Sequence, residues 1–169
     1  MFLTTLPLDP AVALAPDDPD TWFRKGVSDD RTGRFGDAVA SFDEAIARDP
    51  SNLSAWFHRG LALRRSGDLR GALEAFDHVL SFEGEDREAL FQRGAILRRL
   101  GRREEGLGSL EKGLGLEPGN AGAWFEKGLA ERGLGREEDS AASLRQALAL
   151  DPRNAPAWCA LGLALLEKG

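Results

Sequence analysis

Phenylalanine recurs at a spacing of 34 residues through most of the chain. The four positions are Phe23, Phe57, Phe91 and Phe125. An aliphatic residue stands four residues after each ring, at Val27, Leu61, Ala95 and Leu129. Rings and aliphatic side chains that alternate at helical spacing suit an apolar stripe on a bound peptide. The alternative is that the rings only fill space inside the protein, and the residue types favour neither interpretation.

Arginines recur a few residues further along the same segments. They are Arg31, Arg64, Arg65, Arg98, Arg99 and Arg132, followed by Arg102 and Arg103. A guanidinium group pairs well with a carboxylate, so these residues suit an acidic partner. The alternative, which we favour, is that they offset the negative end of a helix dipole, because that effect accounts for every repeat without a ligand.

Together, the ring, aliphatic and arginine positions form the candidate peptide-binding set. Its members are Phe23, Val27, Phe57, Leu61, Phe91, Phe125, Leu129, Arg64, Arg65, Arg98, Arg99 and Arg132.

Residues able to do covalent or metal chemistry are sparse. The one cysteine, Cys159, excludes an intrachain disulfide and has no identifiable base partner, so we interpret it as a packing residue. His58 and His78 cannot complete a zinc ligand set and are interpreted as surface residues. The segment Gly106-Leu107-Gly108 does not complete a G-x-G-x-x-G phosphate loop. We therefore expect no catalytic residues, no metal site and no cofactor.

Tryptophan and glycine share the same 34-residue period. Trp22, Trp56, Trp124 and Trp158 lie on one grid whose remaining point is Leu90. A glycine follows each grid point by four residues, at Gly26, Gly60, Gly94, Gly128 and Gly162. The period predicts four repeats over 19–52, 53–86, 87–120 and 121–154, and a half repeat over 155–169.

Each repeat contains two stretches with helical periodicity, which we call its A helix and its B helix. In the first repeat the A helix is predicted from Asp20 to Thr32 and the B helix from Asp37 to Asp49. Gly33 suits the left-handed end of the A helix, and Pro50 ends the B helix. No segment alternates with period two, so the fold class is all-α.

The two ends of the chain differ from the repeats. Residues 1–18 form an N-terminal segment in which Asp9 and Pro10 predict a short capping helix through Ala15. The half repeat 155–169 is apolar almost throughout and lacks the polar outer face of a cap. We expect either that the natural chain continues or that this surface pairs with another copy, giving a homo-oligomer through residues 155–169.

Composition excludes several classes of partner. The 22 lysines and arginines against 28 acidic residues give a net charge of −6, which disfavours nucleic acid and anionic membranes. No apolar run approaches the roughly 20 residues needed to span a bilayer, and the N-terminus lacks the features of a signal peptide. We expect a cytoplasmic protein that binds neither nucleic acid nor membrane.

These landmarks resemble the tetratricopeptide repeat (TPR) family over nearly the whole chain. In the first repeat the matching residues are Trp22, Gly26, Ala38, Phe42, Ala45 and Pro50. The tyrosine of the family pattern is replaced by Asp29, Leu63, Leu97 and Glu131. The resemblance implies a right-handed α-solenoid of antiparallel helix pairs with four and a half repeats.

The resemblance also implies a function. In the family, A helices line a concave groove that takes a peptide, and the residue after each grid point faces it. The rings either bind an apolar peptide there or fill the inner curve.

Some members hold the acidic C-terminus of heat-shock chaperones with Lys, Asn and Arg side chains, but the corresponding positions are Phe23, Val27, His58, Glu88 and Gln92. We therefore expect no chaperone-tail binding of that kind.

The sequence thus predicts a non-catalytic protein-interaction scaffold with a protein or peptide partner of unknown identity. Two alternatives stay open. One is an oligomerisation module that uses the apolar half repeat, and the other is the recruiting or regulatory part of a larger enzyme.

Overall fold

The computed structural model describes residues 15 and 17–167. The short capping helix expected over residues 9–15 lies outside the described residues apart from Ala15. The described part of the chain contains nine α-helices and no strand, as the periodicity predicts.

The helices alternate between the A and B types and are numbered here in chain order. The A helices are α1 (Pro19–Arg31), α3 (Leu53–Ser66), α5 (Arg87–Arg99), α7 (Ala121–Gly133) and α9 (Ala155–Glu167). The B helices are α2 (Phe35–Arg48), α4 (Leu69–Phe82), α6 (Arg103–Leu116) and α8 (Glu137–Leu150).

Turn chemistry fixes where the A helices begin and end. A carboxylate or amide oxygen directly before the helix accepts from a backbone N–H of its first turn, as Asn52 does from Ala55 at 2.9 Å and Asp86 from Ala89 at 2.7 Å. After the A helices, Gly33, Gly67, Gly101 and Gly135 have φ between +72° and +94°. This left-handed conformation favours glycine and ends the helix, as expected from the spacing.

The helices form two compact units, one ending at His78 and the other beginning at Val79, within α4. In the first unit the A helices α1 and α3 contact each other, and α2 packs against both. In the second unit α5 contacts α7, α7 contacts α9, and the B helices α6 and α8 pack against their neighbours in the same way.

Each complete repeat is closed by a glycine of its A helix and a large apolar residue 16 positions later in its B helix. The four pairs are Gly26–Phe42, Gly60–Phe76, Gly94–Leu110 and Gly128–Leu144. A Cβ on any of these glycines would lie 2.5–2.9 Å from the partner side chain, closer than real Cβ atoms come. The four large side chains are completely buried. Glycine is therefore required for the two helices of a pair to approach each other.

The indoles at the grid positions are at most partly buried in the structure. None of the four tryptophans is fully buried, and Trp158 is 56% exposed. Trp56 and Trp124 each donate their Nε1–H to the carbonyl of the preceding proline, Pro50 at 3.2 Å and Pro118 at 2.8 Å. Each of these indoles thus ties down the loop that leads into its A helix, and Trp124 also packs against the core cluster of Phe91 and Leu110.

A buried ion pair takes the place of the family's tyrosine in the first repeat. Asp29 is only 4% exposed and accepts from Lys25 Nζ at 2.6 Å and from Arg34 Nη2 at 2.5 Å. Lys25 also donates to Ser41 of α2 at 3.0 Å, which ties the two helices together. Burial alone would raise the pKa of Asp29, but these hydrogen bonds and charges outweigh it and hold the pKa below its ordinary value.

The fourth repeat repeats this arrangement with a glutamate. Glu131 is 3% exposed, pairs with Lys127, and accepts from Ser143 Oγ of α8 at 2.6 Å. The second and third repeats hold Leu63 and Leu97 at the same position, both buried. The chain thus uses two solutions, one polar and one apolar, for the same contact between helices.

Helix α6 provides a direct test of which glycines the packing needs. Replacing Gly108 by alanine should raise the free energy of unfolding by up to about 1 kcal/mol, because Gly108 is exposed and a Cβ there meets nothing within 4 Å. Gly106→Ala in the same helix should lower it by about 1–3 kcal/mol, because its Cβ would lie 2.8 Å from the backbone oxygen of Gly94. Urea denaturation measures both, and equal effects of the two variants would contradict the packing described here.

Asp29→Asn should lower the free energy of unfolding by about 1–3 kcal/mol at neutral pH, because Lys25 loses its buried partner. Since the pKa of Asp29 is depressed in the folded state, its stabilisation is present above the ordinary carboxyl pKa and is lost as the pH falls below about 4. The difference between wild type and variant should therefore shrink from pH 7 to pH 3 in urea titrations. Exposed Asp17→Asn is the control, and a difference that does not vary with pH would contradict this account.

Candidate peptide-binding face

The candidate residues belong to A helices and divide between the two compact units. Phe23, Val27, Phe57, Leu61, Arg64 and Arg65 belong to the first unit. Phe91, Phe125, Leu129, Arg98, Arg99 and Arg132 belong to the second unit. The contact between neighbouring A helices brings the members of each group onto adjacent helices.

In the first unit the candidate rings form an aromatic cluster with His58. The Phe23 centroid lies 5.8 Å from that of Phe42 and 5.3 Å from that of His58. The Phe57 ring meets Phe76 edge to face at 5.4 Å. Phe23 and Phe57 keep part of their surface exposed, so each ring both packs against a B helix and presents an edge to solvent.

The expectation that the histidines are surface residues is wrong. His58 is half-buried among the rings of Phe23, Phe42 and Phe57, and His78 stacks on Trp56 with centroids 3.9 Å apart. Burial lowers the pKa of His58, which favours a neutral imidazole inside the cluster. Both histidines therefore act as planar packing residues.

In the second unit the ring of Phe91 is more deeply buried than the ring of Phe125. Phe91 is only 6% exposed and belongs to a core cluster with Leu110 and Leu114. Phe125 and Leu129 are partly exposed and pack against the cluster between α8 and α9. Within this unit, Phe125 and Leu129 are thus accessible to a ligand and Phe91 is a core residue.

Helix α9 adds an exposed apolar surface, which the sequence predicts for the half repeat 155–169 but which lies outside the candidate peptide-binding set. Cys159 and Leu163 occupy the register positions of Phe125 and Leu129, and Leu166 occupies that of Arg132. Cys159 is exposed rather than packed, Leu163 is 47% exposed and Leu166 is 78% exposed. The sequence contains the information needed to find these residues, because the 34-residue register assigns them to the same face as the candidates.

Two of the candidate arginines are engaged with acidic residues of the adjacent A helix. Arg65 of α3 pairs with Asp30 of α1, and Arg98 of α5 pairs with Glu126 of α7 at 2.6 Å. These pairs hold neighbouring A helices together, which is a role beyond the helix dipole. Arg99 is exposed, and Nη1 of Arg132 is buried without a hydrogen-bond partner among the described residues.

The described residues contain no group of three or more His, Cys, Asp or Glu side chains that could hold a metal ion. In that part of the chain, no helix has both the length and the apolar character needed to cross a membrane.

Comparison with solved structures finds the same fold. A MamA structure from Desulfovibrio magneticus RS-1 superposes with a TM-score of 0.85 at 24% identity, covering 89% of this chain and 85% of that one. A second MamA structure gives a TM-score of 0.84 at 18% identity, covering 89% and 82%. YrrB, described as a TPR protein with an unusual peptide-binding site, gives 0.79 at 19% identity, covering 94% and 82%. No curated protein sequence matches the chain significantly.

Two family models match the sequence itself. One, described as tetratricopeptide repeat, matches residues 23–88, and the other, described as TPR repeat, matches residues 128–169. Together they cover more than half of the chain. The helix pairs and their 34-residue period are those of an all-α solenoid, a fold that serves as a protein-interaction scaffold. The chain belongs to the tetratricopeptide repeat family.

Proposed function

We propose that this chain is a non-catalytic scaffold that binds a peptide segment of a partner protein on the face of its A helices. The observation that carries the proposal is the accessible apolar surface of α7 and α9, where Phe125 and Leu129 adjoin the register positions of Cys159, Leu163 and Leu166. Apolar side chains grouped on one exposed face favour a role in binding.

The charges at this face suit a partner that combines apolar and acidic residues. Arg99 is exposed on α5, and Arg132 on α7 has a buried Nη1 that makes no hydrogen bond to a described residue. A carboxylate of the peptide would pair with the exposed guanidinium group of Arg99. The peptide-binding site described for YrrB, which has the same fold, is consistent with this proposal.

In the first unit the corresponding residues of the A helices are engaged in other contacts. The rings of Phe23 and Phe57 are part of the aromatic cluster, and Arg65 is paired with Asp30. These residues are therefore not part of the proposed anchor. The main apolar anchor is assigned to α7 and α9.

Peptides selected from a random display library on the immobilised protein should be apolar with acidic residues, and Leu163→Ser should weaken their binding at least tenfold. Leu150→Ser is the matched control, because Leu150 is 46% exposed and Leu163 is 47% exposed, but Leu150 lies at the end of the B helix α8. Fluorescence anisotropy with labelled peptides gives both affinities.

Two outcomes would count against this function. One is a selection that returns no peptide, and the other is an equal loss of affinity in Leu163→Ser and Leu150→Ser. Far-UV circular dichroism and urea midpoints of both variants show whether each protein is still folded.

A further inference from the structure

A pocket of about 670 Å³ lies in the third repeat, where the loop before α5 meets the end of α6. It is lined by residues 83–88 of the loop and by Leu116, the last residue of α6. Its volume is within the range of roughly 300–1,000 Å³ that is typical of ligand pockets. None of the lining residues belongs to the candidate peptide-binding set, so the pocket is a separate feature of the second unit.

The third repeat differs from the others at its grid point. The other four grid points carry tryptophan, whereas the third repeat has Leu90. The side chain of Leu90 is smaller than an indole, and the residue is only 5% exposed. Leu90 is also not among the residues that line the pocket. The third repeat therefore has no indole at the surface beside its loop.

The neighbours of an indole in the other repeats correspond to the walls of the pocket. Trp124 donates Nε1–H at 2.8 Å to the carbonyl of the residue six positions earlier, and the indoles of the second and last repeats make the same bond. The Trp22 indole is covered at 5.1 Å by the guanidinium group of Arg48, which stands 26 positions later. In the third repeat these two positions are Gly84 and Leu116, and both line the pocket. The pocket thus lies where the register places an indole.

The hydrogen-bond acceptor for an indole is also present in the third repeat. The carbonyl of Gly84 accepts from Lys112 Nζ at 2.6 Å. Lys112 is exposed, and a carbonyl oxygen has two lone pairs, so this oxygen can accept an indole N–H as well. Lys112 supplies a hydrogen bond but no ring, and Leu116 is left 43% exposed.

Acidic side chains surround the pocket. Glu83 and Glu85 are exposed and make no ion pair with a described residue. Asp86 caps α5, and Arg87, the cation of the lining, pairs with Glu117 at 2.8 Å. The unbalanced charge at the rim is therefore negative. It repels anionic ligands and attracts lysine and arginine side chains.

We propose that this pocket binds the indole side chain of a tryptophan that lies in a basic segment of a partner protein. The indole packs on Leu116 and donates its N–H to the carbonyl of Gly84, as the chain's own indoles donate to the loops before their helices. Lysine or arginine residues next to the tryptophan pair with Glu83 and Glu85. The site thus offers a partner's tryptophan the same contacts that the other repeats offer their own.

The chain's own residues match this ligand less well than a partner does. Residues 1–18 contain neither tryptophan nor a basic residue. Trp158 of a second copy is 56% exposed, but its N–H already donates to Pro152, and no basic residue lies within four positions of it in the sequence. A continuation of the chain past residue 169 would start from α9, which belongs to another repeat. These observations favour a different polypeptide as the occupant.

The probe is a short fluorescein-labelled peptide with one tryptophan between two pairs of lysines. In fluorescence anisotropy at physiological ionic strength it should bind the whole protein saturably, at a single site in each chain. The same peptide with alanine in place of tryptophan should bind about tenfold more weakly, because the ring contact is lost. A peptide with glutamates in place of the lysines should also bind about tenfold more weakly, because the rim of the pocket is acidic.

The decisive protein variant is Leu90→Trp, because it supplies the indole from the chain itself. The new ring should occupy the pocket, so peptide binding should be lost while the urea midpoint is retained. Leu116→Ser tests the pocket independently of that change and should weaken binding about tenfold. Leu150→Ser is its matched control and should leave binding unchanged, because Leu150 has the same register position in the fourth repeat and is 46% exposed.

Several outcomes would overturn the proposal. They are the absence of saturable binding, equal affinities for the tryptophan and alanine peptides, and wild-type affinity in a folded Leu90→Trp protein. A dimer in sedimentation velocity that the folded Leu90→Trp protein no longer forms would also overturn it and assign the pocket to a second copy. Leu163→Ser should bind the lysine–tryptophan peptide as the wild type does, so a failure here is distinct from a failure at the proposed peptide-binding face.

Discussion

The close approach of two helices at a glycine is the constraint on which this structure depends. In each complete repeat the A-helix glycine leaves no room for a Cβ, and a fully buried Phe or Leu of the B helix fills the space, as Phe42 does at Gly26. The contact fixes the distance and register of each pair. Local features complete a repeat: the left-handed glycine after the A helix, the Asp or Asn cap before it, and the indole bonded to the preceding loop.

The second contact between paired helices is less constrained, and the chain solves it in two ways. Repeats one and four bury a carboxylate, Asp29 or Glu131, that pairs with a lysine of the same helix and is linked to a serine of the B helix. Repeats two and three bury leucine instead. Buried ion pairs specify a partner by charge as well as shape, because an unmatched charge is costly. The half repeat has leucine, Leu161 and Leu165, at the positions of the lysine and the carboxylate.

The surface proposed for binding is the part of the A helices that this packing leaves exposed. The ring of Phe91 belongs to the core and is therefore inaccessible to a ligand. Arg98 pairs with Glu126 of the adjacent A helix, so its charge is neutralised. The last helix has fewer neighbours among the described residues. It therefore keeps apolar side chains exposed, among them Trp158 and the Leu163 of the proposed peptide-binding face.

The period of the sequence by itself determined the fold class and the helix pairs, because glycine, proline and large apolar residues act locally and recur in register. The period also places Gly162 of α9 in phase with the glycines of the other A helices. Only the tertiary structure decided how much of each side chain is accessible. Identical residues such as Phe91 and Phe125 differ in exposure because burial depends on neighbours that are distant in sequence, and no periodicity in the chain records those neighbours.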